Sequence, residues 1–109
     1  MLGGDSLNGI LRNRPALDRI IAATCAETGV SVASVLDRTR ESEVVEVRHI
    51  AMYLARTMTA YSESEISRHF QRHAGGTIYA FNQITERIGK SAELNKTIAA
   101  IESRLKGTT

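Results

Sequence analysis

ISRHFQRHAGGTIYAFNQI, residues 66–84, decides the fold. It has the outline of a short helix, a turn and a second helix. Just ahead of it, Ser62 and Glu65 make an S-x-x-E capping box that opens the first helix. That helix carries Ile66 and Phe70. The turn runs roughly from Gln71 to Gly76. The second helix carries Ile78, Phe81, Ile84 and Ile88 at helical spacing, and Gly89 can end it. A short helix, a tight turn and a longer helix are the outline of a helix-turn-helix. Two glycines, Gly75 and Gly76, sit where a DNA-reading helix would begin. The question is whether this is a working reader or its shell.

The rest of the chain is helical by the same signs. Upstream, Val47, Ile50, Ala51, Leu54 and Met58 form the buried stripe of a long helix opened by Ser42 or Glu43. VVEV at 44–47 has strand propensity but runs straight into that helical period. Ser31 caps a short helix with Val32, Val35 and Leu36. Before it, Pro15 suits a first helical position, Leu17, Ile20, Ile21 and Cys25 mark one apolar face, and Gly29 is a stop. Downstream, Ser91 caps a last helix striped by Leu94, Ile98, Ile101 and Leu105. The expectation is an all-α, compact bundle of about six helices containing a helix-turn-helix. Residues 1–13 form a loose tail, 14–106 the helical domain and 107–109 a short C-terminal tail.

The totals narrow the functions. A chain of 109 residues fits one domain. The net charge of +2 is compatible with nucleic acid and compels nothing, but the basic set is eleven Arg and three Lys. Arginine suits phosphate and base-edge contacts. One cysteine, Cys25, excludes an internal disulfide and suits a cytoplasmic setting. It lies in an apolar stretch and reads as a buried small residue. No apolar run reaches the ~20 residues that span a bilayer, and MLGGDSLNG has no signal-peptide pattern. No nucleophile elbow and no phosphate-cradling glycine loop followed by lysine is present, so no enzyme and no cofactor is expected. His69 and His73 are four apart, but the turn intervenes and no third ligand lies nearby, so no metal is expected.

Residues 16–104 resemble the C-terminal DNA-binding domain (domain IV) of the bacterial replication initiator DnaA, a Trp-repressor-like helix-turn-helix. The resemblance is clearest in RHIAMYLARTMTAYSESEISRHF, residues 48–70, and extends to VSVASVLDRTR, residues 30–40. It implies a bacterial DNA-binding protein of replication. With no Walker A segment, the expectation is a stand-alone copy of the DNA-binding domain. The family's recognition segment G-G-R-D-H-T-T-V is altered here. Aligned without gaps, its Asp, His and first Thr become Ala74, Gly75 and Gly76, and only Thr77 and Ile78 keep the type. The family's basic loop is also changed. In RTRESEVVEVR, residues 38–48, three arginines face three glutamates, and the segment is formally neutral.

The candidate DNA contacts are therefore Arg38, Arg40 and Arg48 from the loop segment, with Arg68 and Arg72 on or beside the motif. His73 is a turn residue able to meet phosphate when protonated. Gly76, with Gly75, lets backbone N–H groups approach phosphate at a helix start. Thr77 is the retained family position, and Asn82 and Gln83 have amides able to read adenine edges. Tyr53 and Tyr79 carry hydroxyls able to reach phosphate, though packing is the plainer role for both. Ala and Gly have no groups for base edges, and a good bidentate base contact is worth about 1–3 kcal/mol. Strong preference for the family's usual box is therefore not expected. Two functions stay open. One is double-stranded DNA binding with altered or relaxed specificity in replication or transcription control. The other is a protein-interaction regulator that keeps the fold and binds a replication-initiation protein.

Overall fold

The computed structural model describes residues 16–106; the expected tails at 1–13 and 107–109, and Pro15, lie outside the described residues. Six helices and no strand occur among the described residues. They are α1 (16–28), α2 (Val32–Leu36), α3 (Ser42–Met58), α4 (Glu63–His69), α5 (Gly76–Ile88) and α6 (Ala92–Lys106). No helix is long and apolar enough to cross a membrane among these residues.

Local chemistry sets the boundaries. Gly29 takes φ 81°, and its N–H closes α1 on the Cys25 carbonyl at 2.8 Å. The hydroxyl of Ser31 accepts from the Ser34 N–H at 3.1 Å, and that of Ser91 accepts from the Leu94 N–H at 3.1 Å. The capping box at α4 is complete. The Glu65 N–H donates to Ser62 Oγ at 3.1 Å, and the Ser62 N–H donates to Glu65 Oε1 at 2.8 Å. These bonds hold the Glu65 carboxyl below its ordinary range.

α3 is the centre of the bundle and packs mainly on α5. It buries Val44, Val47, Ile50, Ala51, Met52, Leu54 and Ala55. Each large apolar side chain removed from water there contributes about 1.5–3 kcal/mol. Ile66 and Phe70 of the α4 region are fully buried beside it. Tyr53 stacks on Phe81 with ring centroids 5.5 Å apart, and the Arg56 guanidinium lies 5.1 Å from the Phe81 ring while bonding Glu63 at 2.9 Å. Tyr53 is thus a packing residue. Cys25 is buried, and burial pushes its thiol above the usual range.

Three stripe assignments need correction. Val32, Met58 and Ile78 are exposed. For α5 the reason is visible. Its inner face is centred on the small residues Thr77 and Ala80 and continues to Ile84. Their size permits close approach to the neighbouring helices, and that rotation turns Ile78 outward.

The helix-turn-helix joint has a further feature. α4 ends in a Schellman arrangement: the Arg72 N–H reaches the Ser67 carbonyl at 2.8 Å and the Gln71 N–H reaches the Arg68 carbonyl at 3.0 Å. The pivot residue, in the left-handed region at φ 56°, is Gln71 rather than glycine. A non-glycine residue there costs roughly 1–2 kcal/mol, offset in part because glycine loses more freedom on folding. Gln71→Gly should raise stability by about 0.5–1 kcal/mol. In urea unfolding this is a higher midpoint at unchanged slope; a lower midpoint contradicts the account.

Candidate nucleic-acid interface

The loop after α2 and the turn between α4 and α5 face each other across an open cleft of about 530 Å³. Its walls are Arg38, Thr39, Arg40, Arg48, Gln71, Arg72 and His73. Four arginines and a histidine line it, with no carboxylate among the lining residues. Arg38 and Arg40 are exposed, and their side chains form no hydrogen bond or ion pair among the described residues. Arg72 is fixed by donating from Nη2 to the Asp37 carbonyl at 2.7 Å. That bond ties the turn to the loop, so the two walls are held at one spacing.

Folding divides the charges of residues 38–48: the three arginines line the cleft, and Glu41, Glu43 and Glu46 are not among its lining residues. The helical period of α3 sends Glu43 and Glu46 to another surface, beside Arg87 and the α6 start. Glu46 pairs there with Arg87 at 2.5 Å. The arginines of the segment all turn to the cleft. The loop's contribution to the cleft is therefore basic, where the residue count alone gives zero.

Arg48 has a different role from the one expected of it. It is 4% exposed, at the cleft floor. Its Nε donates to the Val35 carbonyl at 2.7 Å, and Nη2 lies 3.0–3.4 Å from the carbonyls of Ser34, Asp37 and Thr39. These are carbonyls of the α2 end and the loop, where the helical ladder stops; of the four, Ser34 also accepts the Asp37 N–H at 3.2 Å. Burial first, and the Arg72 cation second, lower the Arg48 pKa, while Asp37 acts in the other direction. Arginine stays charged through such shifts. Arg48 is thus a brace that shapes the loop carrying Arg38 and Arg40.

Thr77 and Gly76 are also committed internally. Thr77 is fully buried, its hydroxyl 2.6 Å from Ser67 Oγ, and its N–H donates to the same oxygen at 3.1 Å. The Gly76 N–H donates to the His73 carbonyl at 2.8 Å. Neither N–H is left for a phosphate, and the Thr77 hydroxyl is not at the surface. Gly76 matters by its size. A Cβ added there would stand 3.2 Å from Arg72 Cβ, so the glycine lets α5 start against the cleft wall. Arg68 is exposed on α4 but lies apart from the cleft, beside Leu17, Tyr61, Glu65 and His69. His69 itself is bonded to Asp18 at 3.1 Å.

The outer face of α5 begins beside the cleft. Ile78 is 46% exposed and Tyr79 58%. Asn82 and Gln83 follow at i+4 spacing, exposed and without hydrogen bonds among the described residues. Tyr79 is steadied edge-on by His49, at 5.6 Å between ring centroids. Burial, then Arg48, Arg72 and Arg87, hold the His49 pKa below its ordinary 6.5. The folded state thus resists the proton that the unfolded chain accepts. Well above pH 6.5, where neither state holds the proton, the group contributes no pH dependence. As pH falls through that value, stability drops until the lowered folded pKa is passed. His49→Gln should flatten this decline, measured as urea midpoints at several pH values from about 7.5 to 5.5. An unchanged decline would assign it to other groups.

A family model described as bacterial DnaA protein helix-turn-helix matches residues 17–84. The match contains the cleft, α4, the turn and α5 as far as Ile84. The chain belongs to the bacterial DnaA helix-turn-helix family. Among the curated relatives is a chromosomal replication initiator protein DnaA of Deinococcus deserti, 35% identical over 68 residues, covering 62% of this chain and 15% of that protein. The DnaA of Deinococcus radiodurans is 30% identical over 88 residues, covering 81% and 19%. That of Ralstonia nicotianae is 32% identical over 99 residues, covering 89% and 19%. The chain therefore spans less than a fifth of the length of these relatives.

Within this DnaA-type scaffold, the cleft brings together Arg38, Arg40, Arg72 and His73, with Arg48 beneath them. Asn82 and Gln83 lie on the neighbouring helix face; Arg68 is elsewhere. Ser67 and His49 were not among the sequence candidates. A serine at a helix position otherwise apolar in period, three residues before the turn, was the available signal for Ser67. Nothing in the sequence marked His49.

Proposed function

We propose that this chain is a double-stranded DNA-binding module of replication or transcription control, not an enzyme, acting in the cytoplasm. The observation that carries this reading is the carboxylate-free cleft of arginines opening beside the first turn of α5. Helix-turn-helix proteins place the second helix in the major groove, with its N-terminal residues at base edges. In that pose Arg38, Arg40, Arg72 and His73 meet phosphates, and Asn82 and Gln83 meet bases. Arg48 supports the loop from below. The similarity to chromosomal replication initiator proteins supports placing the activity in replication.

Specificity is altered in this reading. Ala74, Gly75 and Gly76 supply no side-chain donors or acceptors where the family's motif carries its reading residues. Phosphate contacts position a protein and carry no sequence information. Fluorescence anisotropy on three duplexes tests this: a DnaA box, a scrambled box and a random sequence. Salt-sensitive binding to all three without box preference is expected. A strong box preference would overturn altered specificity, and no binding at low salt would overturn DNA binding. The second reading is a replication-initiation protein docking on this face. Its support is the adjacent exposure of Ile78 and Tyr79.

A further inference from the structure

The outer face of α5 from Ile78 to Gln83 carries no charged side chain. Four groups occupy it: an isoleucine, a phenol ring and two amides. The arginines flanking the helix are each tied within the fold, off this face. Arg72 is bonded to the Asp37 carbonyl at 2.7 Å, and Arg87 to Glu46 at 2.5 Å. Glu86 is exposed but stands a turn further along, away from the N-terminal end that enters a groove. The major groove distinguishes base pairs by chemistry these groups answer unequally. Guanine is read chiefly by arginine or lysine, adenine by the paired donor and acceptor of Asn or Gln, and thymine by apolar contact with its methyl group.

Resting on the proposed DNA binding, we infer that the α5 face is a major-groove reader of A·T base pairs. Asn82 and Gln83 pair with adenine edges, and Ile78 with Tyr79 packs on thymine methyls. The rotation of α5 that buries Thr77 and Ala80 is what brings Ile78 to the surface. An isoleucine nearly half exposed at the start of a reading helix then has a ligand, as do two amides with no hydrogen bond among the described residues. The free cations of the cleft stay with the phosphates and leave base choice to α5.

The test uses the whole chain and four alternating duplexes of equal length: A·T, G·C, I·C and A·U. Inosine removes the minor-groove amino group, so I·C resembles A·T in the minor groove and G·C in the major groove. Uracil removes only the major-groove methyl. The expected order is A·T tightest, by roughly tenfold or more over both G·C and I·C, with A·U intermediate. Ile78→Ala should erase the difference between A·T and A·U. Asn82→Ala and Gln83→Ala should each cut the A·T preference severalfold. All three positions are exposed, so circular dichroism should show the fold kept. Binding of I·C as tight as A·T would put the preference in the minor groove and overturn the inference. Equal binding of all four would overturn it too, while leaving DNA binding in place. Binding to none at low salt would remove the proposed function itself.

Discussion

Arg48→Ala should lower the stability of the domain by about 3 kcal/mol or more, the largest single-residue effect outside the apolar core. The guanidinium donates toward four carbonyls, those of Ser34, Val35, Asp37 and Thr39. Its removal takes the charged donor from the Val35 and Thr39 carbonyls, while Ser34 keeps the Asp37 N–H and Asp37 keeps Arg72 Nη2. Each hydrogen bond from a charged group contributes roughly 1.5–3 kcal/mol, and bonds sharing one donor do not add fully. Natural domains have only about 5–15 kcal/mol in total, so thermal unfolding should move down by more than about 10 °C. Arg48→Lys should recover only part. One ammonium cannot span carbonyls spread from Ser34 to Thr39 as a planar fork does. A loss below about 1 kcal/mol for the alanine variant would show that the loop holds its shape without this brace.

The second large effect is on DNA and leaves the fold alone. Arg38→Ala combined with Arg40→Ala removes the two exposed cleft arginines whose side chains form no hydrogen bond or ion pair among the described residues. Stability should change by less than about 0.5 kcal/mol. Each phosphate contact contributes about −0.9 to the slope of log K against log salt. The double variant should therefore lose about 1.8 units of slope and bind any duplex roughly fifty-fold more weakly near 0.1 M salt. Replacing both with lysine should keep most of the slope, since counterion release follows charge. An unchanged slope in the alanine variant would place the phosphate contacts elsewhere. The contrast with Arg48 separates a positioning arginine from contact arginines in one pair of experiments.

The helices were legible because their signals are local. Ser31, Ser62 with Glu65, and Ser91 mark their helix starts within one turn, and each makes the bond its spacing implies. The stripe of α3 was legible for the same reason, since most of its period faces one core. At α5 the period misled. Thr77 and Ala80 look less apolar than Ile78, yet it is the close approach that small residues permit which sets the rotation. The cleft was half legible. Arg38, Arg40, Arg72 and His73 were candidates by type, but a charge sum over residues 38–48 hides that α3 carries its glutamates to another face. Arg48 could not be told from its neighbours, because inward or outward direction depends on which carbonyls the α2 end leaves unpaired. Gln71 gave no sign of a left-handed conformation, since glutamine has no preference for it.

In the proposed function the arginine cleft and the outer face of α5 form one DNA-binding surface. Titrating the isotope-labelled chain with a short duplex at low salt, and following amide and arginine side-chain NMR shifts, tests it most directly. Shifts should cluster at residues 38–40, 71–73 and 76–83, with α1 and α6 unmoved and the clustered shifts reversed by added salt. Shifts concentrated on α1 and α6, or none at all with the duplex in excess, would contradict it.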